Sequence, residues 1–240
     1  MGLGKGVVSG MGEQYRHELK FVCGEGELRL LEERIRHICV LDGHVGESGR
    51  YGVRSLYFDT VDDRCFYENE AGVDRREKYR IRIYDGKTDL IHLERKETLH
   101  GLKRKATCVL TLQQCRQLMG RAAVTDFMPG QELLREFLVA RSIQLLTPKV
   151  IVEYIRTPYV YVAGNVRVTF DRCIRSSAET GRFLERQVSG RSIMAQDRHI
   201  LEVKYDEGLP GTIRELLSTG QDLKRTSFSK YYLCREYSMH

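Results

Sequence analysis

The 240-residue sequence predicts an α+β fold: a closed antiparallel β-barrel of about eight strands with helices decorating its outside. Three observations carry this expectation. Short strand-like stretches follow one another in hairpins. Nearly every such stretch has one apolar and one charged face. Amphipathic helices are inserted among them, and their apolar stripes need a surface to pack on.

Residues 1–12 are glycine-rich with no apolar core, and read as a flexible leader; residues 13–240 read as a single domain. Residues 15–23 (YRHELKFVC) predict a first strand. Leu28, Leu31, Ile35 and Ile38 recur at three- and four-residue spacing, which predicts a helix over 26–41. Gly43, Gly46 and Gly49 mark a loop before a strand at 51–59. Strands at 77–85, 89–97 and 102–112 follow, the first two joined through the turn signal DGKTD. Helices are predicted at 113–120 and 130–146, then strands at 148–156, 158–163, 165–175 and 199–206. Pro210 opens a short helix that ends at Gly220, and 228–237 predict a last one. Residues 176–198 are polar and irregular and read as a mobile loop. No repeat or linker divides the chain.

A hydrophobic content of 41% and a charged content of 30% suit a soluble globular protein. No apolar run approaches the roughly 20 residues that span a bilayer. The formal charge of +6 favours an anionic partner without choosing one. The seven cysteines are odd in number and none has CxxC spacing, so buried free thiols in a reducing cytoplasm are expected, not a zinc site or a disulfide framework.

Position along the strands says more. Glu18 and Lys20 share a face opposite Leu19 and Phe21, and Arg80 and Arg82 share one opposite Ile81 and Ile83. His92, Glu94 and Lys96 align, as do Lys103 with Lys105, and Tyr154 with Arg156. Arg167, Thr169 and Asp171 align, and Glu202 and Lys204 oppose Leu201 and Val203. An open sheet with its charged face in water is the plainer reading. Two features favour closure. Clustered Arg and Lys repel unless a polyanion neutralises them, and outward-pointing apolar faces would receive the helices.

An interior of Arg and Lys matches a linear phosphate chain, such as a triphosphate or polyphosphate. Glu202, then Glu18 and Glu94, are either ligands for Mg²⁺ or Mn²⁺ or ion-pair partners of nearby cations. A nucleic-acid partner is not expected, because aromatic residues do not sit on the charged faces as stacking platforms. His92 reads as a hydrogen-bonding residue in preference to a phosphate contact, Tyr57 and Phe58 as core and strand-pairing residues, and Arg54 as either a phosphate ligand or a surface charge.

The stretches RHELKF, VRSLYFDT, KYRIRIY, HLERKE, GLKRKA, VEYIRTPY, VRVTFD, ILEVKYD and FSKYYL run in order from residue 16 to residue 233. As an ordered set they resemble the catalytic domain of the vacuolar transporter chaperone (VTC) family of polyphosphate polymerases. That domain is grouped with the CYTH phosphatases and fungal RNA triphosphatases as triphosphate tunnel metalloenzymes. The resemblance implies a first-strand phosphate ligand at Lys20, and Arg80 and Arg82 gripping the phosphates of a nucleotide. Lys96 and Lys103 would extend that grip. Tyr154, Arg156 and Arg167 would complete the cage, with Lys105 and Lys204 on the same faces. Glu202 would hold Mn²⁺ or Mg²⁺, and Ser229 and Lys230 would touch the phosphate chain at the tunnel mouth.

The implied activity is metal-dependent transfer of the γ-phosphate of ATP to a growing polyphosphate. The alternatives are a tripolyphosphatase or nucleoside triphosphatase of the same fold, and a non-catalytic polyphosphate-binding domain. Two departures matter. Arg16 stands where the wider superfamily has the first Glu of ExExK, which favours the polymerase branch. Ser227 stands where the eukaryotic family has a Lys, so that phosphate contact is either weaker or supplied elsewhere, by Lys224 or Arg225. The sequence reads as a stand-alone, bacterial-type version.

Overall fold

The computed structural model describes residues 15–195, 197–220, 223–227 and 229–239. The leader at 1–12 and Phe228 of the last motif lie outside the described residues. The chain begins with β1 (His17–Gly24), α1 (Glu25–Ile38), β2 (Val40–Leu41), β3 (Tyr51–Asp59) and α2 (Arg64–Glu70). It continues through β4 (Arg76–Tyr84), β5 (Lys87–Leu99), β6 (Leu102–Leu110), α3 (Leu112–Met119) and α4 (Glu132–Gln144). Then come β7 (Thr147–Tyr161), β8 (Val166–Ser177), β9 (Arg191–Ser192), β10 (Arg198–Tyr205), α5 (Gly211–Ser218), β11 (Lys224–Arg225) and α6 (Lys230–Met239).

The fold is α+β around one large antiparallel sheet. Its main path runs β1-β10-β8-β7-β3-β4-β5-β6, with β11 beyond β1 and the short β2 and β9 paired to β7 and β8. The path curls until its ends meet. Arg16 and Lys103 form a bridge, each backbone N–H donating to the other's carbonyl at 2.9 Å.

Alternation along the strands decides what faces where. Leu56, Ile81, Ile83 and Leu93 point to one face, against Leu118 of α3 and Leu134 and Phe137 of α4. On the far side, Val168, Phe170, Leu201 and Val203 pack on Leu28, Leu31 and Ile35 of α1 and Ile213 of α5. α3 starts cleanly because Thr111 and Gln114 form a reciprocal capping box. These four helices cover the apolar face, as expected.

The last helix differs. Tyr231 and Cys234 of α6 pack on Val150, Val152, Ile174 and Ile200. Val152 and Ile200 share strand parity with Arg156 and Glu202, so α6 lies on the charged face. An apolar floor at one end of that face gives it a seat.

Three further elements depart from the sequence reading. The predicted strands at 148–156 and 158–163 are one strand, β7. β3 pairing ends at Arg156 and β2 pairing begins at Tyr159, so the missing N–H of Pro158 falls in the gap. The seven-residue α2 is too short to show a helical period. Residues 176–198 do not hang free: Phe183 is fully buried, and Arg54 donates to the carbonyls of Phe183 and Glu185 and to Glu153. Arg54 is therefore a buried anchor for this segment, neither a surface charge nor part of the cavity described next.

Candidate functional site

The charged face encloses a cavity lined by Lys20, Lys78, Arg80, Arg82, Lys96 and Arg156, together with Lys204 and Lys230, against a single carboxylate, Glu202. Tyr57, Tyr154 and Ser229 complete the lining. Register explains the convergence. Lys20 lies opposite Glu202 across β1 and β10, and Lys78 opposite Lys96 across β4 and β5. α6 adds Lys230 from its first turn.

Behind this lining sit buried acids that hold the cations in place. Glu94 accepts from Arg80 Nε at 2.6 Å and lies 3.6 Å from Arg82 and 3.2 Å from Lys105. Glu18 accepts from Lys20 at 3.0 Å and from Lys96 at 2.8 Å. The Lys96 bond crosses from β5 to β1, strands that are not neighbours on the sheet path. Asp171, fully buried, takes both 2.7 Å bonds of the Arg156 fork. Lys230 Nζ sits between Asp171 and Glu202, at 2.6 and 2.7 Å.

Burial pushes the carboxyls of Glu18, Glu94, Asp171 and Glu202 up, but the surrounding Lys and Arg outweigh it and hold all four below the usual range. They are therefore ionised at neutral pH. The amines show the complementary strain. Burial lowers Lys204 to about 7, although Glu18 and Glu202 pull the other way. Lys78 also falls to about 7 and Lys103 to about 8. Such amines gain from an incoming anion. Burial raises the Tyr57 hydroxyl, but Arg80 and Arg82 outweigh it and bring it below its ordinary value.

The predicted site residues fall into three groups. Lys20, Arg80, Arg82, Lys96, Tyr154, Arg156, Lys204, Ser229, Lys230 and Glu202 line the cavity together. Lys103 lines an adjoining cavity. The others stand back. Lys105 is half exposed on Glu94, and Arg167 is tied at the rim to Asp42 at 2.9 Å and to the Tyr51 hydroxyl at 3.4 Å. Glu18 and Glu94 are each taken up by several cations and do not line the cavity. Lys224 and Arg225 lie exposed on β11, outside both linings. Sequence reasoning missed Lys78, which shares the face of Arg80 and Arg82 by the same period of two; Tyr57 is core as read, and its hydroxyl also accepts from Arg80 at 2.8 Å at the cavity wall.

Among the described residues no group of three or more His, Cys, Asp or Glu is spaced to hold a metal. A phosphate-borne cation needs less: one or two carboxylates, with phosphate oxygens and water completing the shell. Glu202, ionised and the one acid in the lining, meets the ligand type, but it is already shared by Lys230 at 2.7 Å and Arg156 at 3.5 Å, so a cation would have to compete with these for its oxygens.

A wider hollow of about 510 Å³ lies outside the sheet, beside α1. Two of its four arginines are matched within the lining: Arg29 bonds Glu25, and Arg172 bonds Glu32. The larger excess of positive charge, eight Lys and Arg against one carboxylate, gathers in the inner cavity.

The fold is thus a curled antiparallel sheet that gathers Lys and Arg around one inner cavity. The chain belongs to the VTC domain family, whose profile matches residues 15–239. Among solved structures it is similar to a putative adenylate cyclase from Bacillus halodurans, at 17% identity and a TM-score of 0.54, covering 91% of this chain and 96% of that one. A protein from Pyrococcus horikoshii OT3 aligns over 94% of this chain and 100% of its own, at 12% identity and a TM-score of 0.49. A Mimivirus capping enzyme triphosphatase aligns over 87% of each chain, at 11% identity and a TM-score of 0.38. The first of these shows a shared fold; the other two are more distant. No curated protein matches the chain. Among the described residues no helix is long and apolar enough to cross a membrane.

Proposed function

We propose that the curled sheet acts as a closed triphosphate tunnel, and that the protein is a metal-dependent polyphosphate polymerase that transfers the γ-phosphate of ATP to a growing chain. The observation that supports this most is the lining itself, in which eight Lys and Arg converge on one cavity with a single acid among them. A linear chain of phosphates is the ligand such a lining can neutralise along its length.

In this reading the terminal phosphate oxygen of the acceptor chain attacks the γ-phosphorus in line. The bond to the β-phosphate oxygen breaks, and ADP leaves. Arg80 and Arg82, side by side on β4, hold the equatorial oxygens of the transferring group. Lys230 and Arg156, fixed by Asp171, hold the oxygens of the nucleotide. Positioning and preorganised charge supply the rate, with no covalent intermediate on the protein. Glu202 would hold Mn²⁺ or Mg²⁺ together with phosphate oxygens, and the cation when bound adds charge neutralisation at the departing phosphate.

The test is incubation of the purified protein with ATP and Mn²⁺, followed by product sizing. Long acid-labile phosphate polymer is expected, with a rate lowered at least about 100-fold in Glu202→Gln. Orthophosphate as the sole product would make the protein a hydrolase of the same fold. Tight tripolyphosphate binding without turnover would make it a binding domain.

A further inference from the structure

Lys78 stands apart from the other cations of the cavity. Each of Lys20, Arg80, Arg82, Lys96, Arg156, Lys204 and Lys230 has a carboxylate oxygen within 4 Å. Lys78 forms no ion pair among the described residues. Its Nζ donates to two neutral oxygens, Asn69 Oδ1 at 3.1 Å and Ser229 Oγ at 3.2 Å, and lies 5.1 Å from the centre of the Tyr231 ring.

Its location is equally particular. It lines the cavity described above and also an adjoining one, whose further walls are Arg76, Thr98, Lys103 and Ser227, with no Asp or Glu in the lining. The groups that face it are nearly all cations: Lys20 on β1, Lys96 across from it on β5, and Arg76 on its own strand. The acid it feels, Asp59 on β3, is occupied. Asp59 accepts from the backbone N–H groups of Thr60, Cys65 and Phe66 and from the Tyr231 hydroxyl. Burial pushes the nearby Cys65 thiol up, so it stays neutral.

We propose that Lys78 is a further phosphate ligand, holding the phosphate group that spans the junction of the two cavities, and that Asn69 is the residue that positions its ammonium there. The inference rests on the proposed function and adds a residue to that site. A phosphate at the junction becomes the counter-ion that the protein itself does not provide.

Proton linkage gives a readout that a merely structural lysine would not move. The Lys78 amine sits at about 7 in the free protein because burial disfavours its charge. A bound phosphate raises that value. Above about pH 7 binding therefore takes up a proton, and affinity falls as pH rises until the bound-state value is passed. Lys204 at about 7 and Lys103 at about 8 contribute in the same sense, so the comparison between variants carries the test.

The experiment is calorimetric titration of the full chain with inorganic tripolyphosphate in EDTA, in buffers of differing ionisation enthalpy, at about pH 6 and about pH 8. Lys78→Met should weaken binding about tenfold at the lower pH. Lys78→Arg should retain affinity yet take up fewer protons than wild type at the higher pH, because a guanidinium is always charged. Wild-type affinity in Lys78→Met, or wild-type proton uptake in Lys78→Arg, overturns the role of Lys78 alone. If Lys78→Met does not fold, the arginine variant decides. Absence of any wild-type binding overturns the proposed function and this inference together.

Discussion

Arg82→Ala should lower turnover at least about 100-fold while leaving the denaturant midpoint close to that of the wild type. Its fork is only loosely held. Arg82 Nε donates to Ser55 Oγ at 3.0 Å and Nη2 to the Tyr154 hydroxyl at 3.3 Å, and its nearest carboxylate oxygen is 3.6 Å away. Its charge is thus available to a ligand. Removing it leaves Glu94 with Arg80 and Lys105, so the fold should lose about 1 kcal/mol, the worth of neutral hydrogen bonds. Arg80→Ala makes the contrast. Arg80 holds Glu94 at 2.6 Å through both Nε and Nη2. Its loss uncovers a buried carboxylate and should lower stability by about 3 kcal/mol in addition to any loss of turnover. Paired kinetic and urea-unfolding measurements check this. Equal stability losses in the two variants would contradict the division of labour drawn here.

The second large effect is expected at Arg156. Arg156→Met should destabilise the protein by about 3–5 kcal/mol at neutral pH, read as a fall in the urea midpoint at constant slope. The guanidinium makes a bidentate pair with Asp171, and its Nη2 lies 3.5 Å from Glu202. Without it, two buried carboxylates share Lys230, so the loss should lie toward the lower end of that range. The pH dependence has a definite sign. Asp171 and Glu202 are held below their ordinary values in the fold, so their contribution is present above about pH 4 and is lost as pH falls through the depressed values. In Arg156→Met the depression shrinks, and the variant's deficit should narrow on acidification. Arg156→Met combined with Asp171→Leu should recover part of the lost stability, because no uncompensated charge then remains at that position.

The alternation of charged and apolar residues was legible because a strand has a period of two and tolerates no drift. β3 begins and ends where the sequence placed it, and the cations of β1, β4, β5, β7 and β10 share one cavity as their parity required. What alternation could not give was partner choice. Nothing in a strand pattern says that Glu94 would be engaged by three cations, or that Arg167 would turn to Asp42 at the rim. These depend on which strands become neighbours after long connections. α2 was illegible because seven residues make two turns, and its preceding Asp63 adopts a left-handed φ of 57° in place of a recognisable side-chain cap. The placement of α6 on the charged face was hidden for a related reason. Tyr231 and Lys230 adjoin in sequence but serve an apolar floor and an acidic pair, so no single stripe marks the helix. Lys78, by contrast, was within reach of the rule that found Arg80.

The bridge between Arg16 and Lys103 leaves a slit between the two ends of the curled sheet. Two backbone hydrogen bonds hold the slit, helped by the Lys96–Glu18 bond just inside it. Segments open in proportion to how little must be broken. The amides of Arg16 and Lys103 should therefore exchange with deuterated solvent well before those in the middle of β3 or β7. Under the proposed function, a phosphate polymer of any length would then be laid in from the side, with no free end to thread.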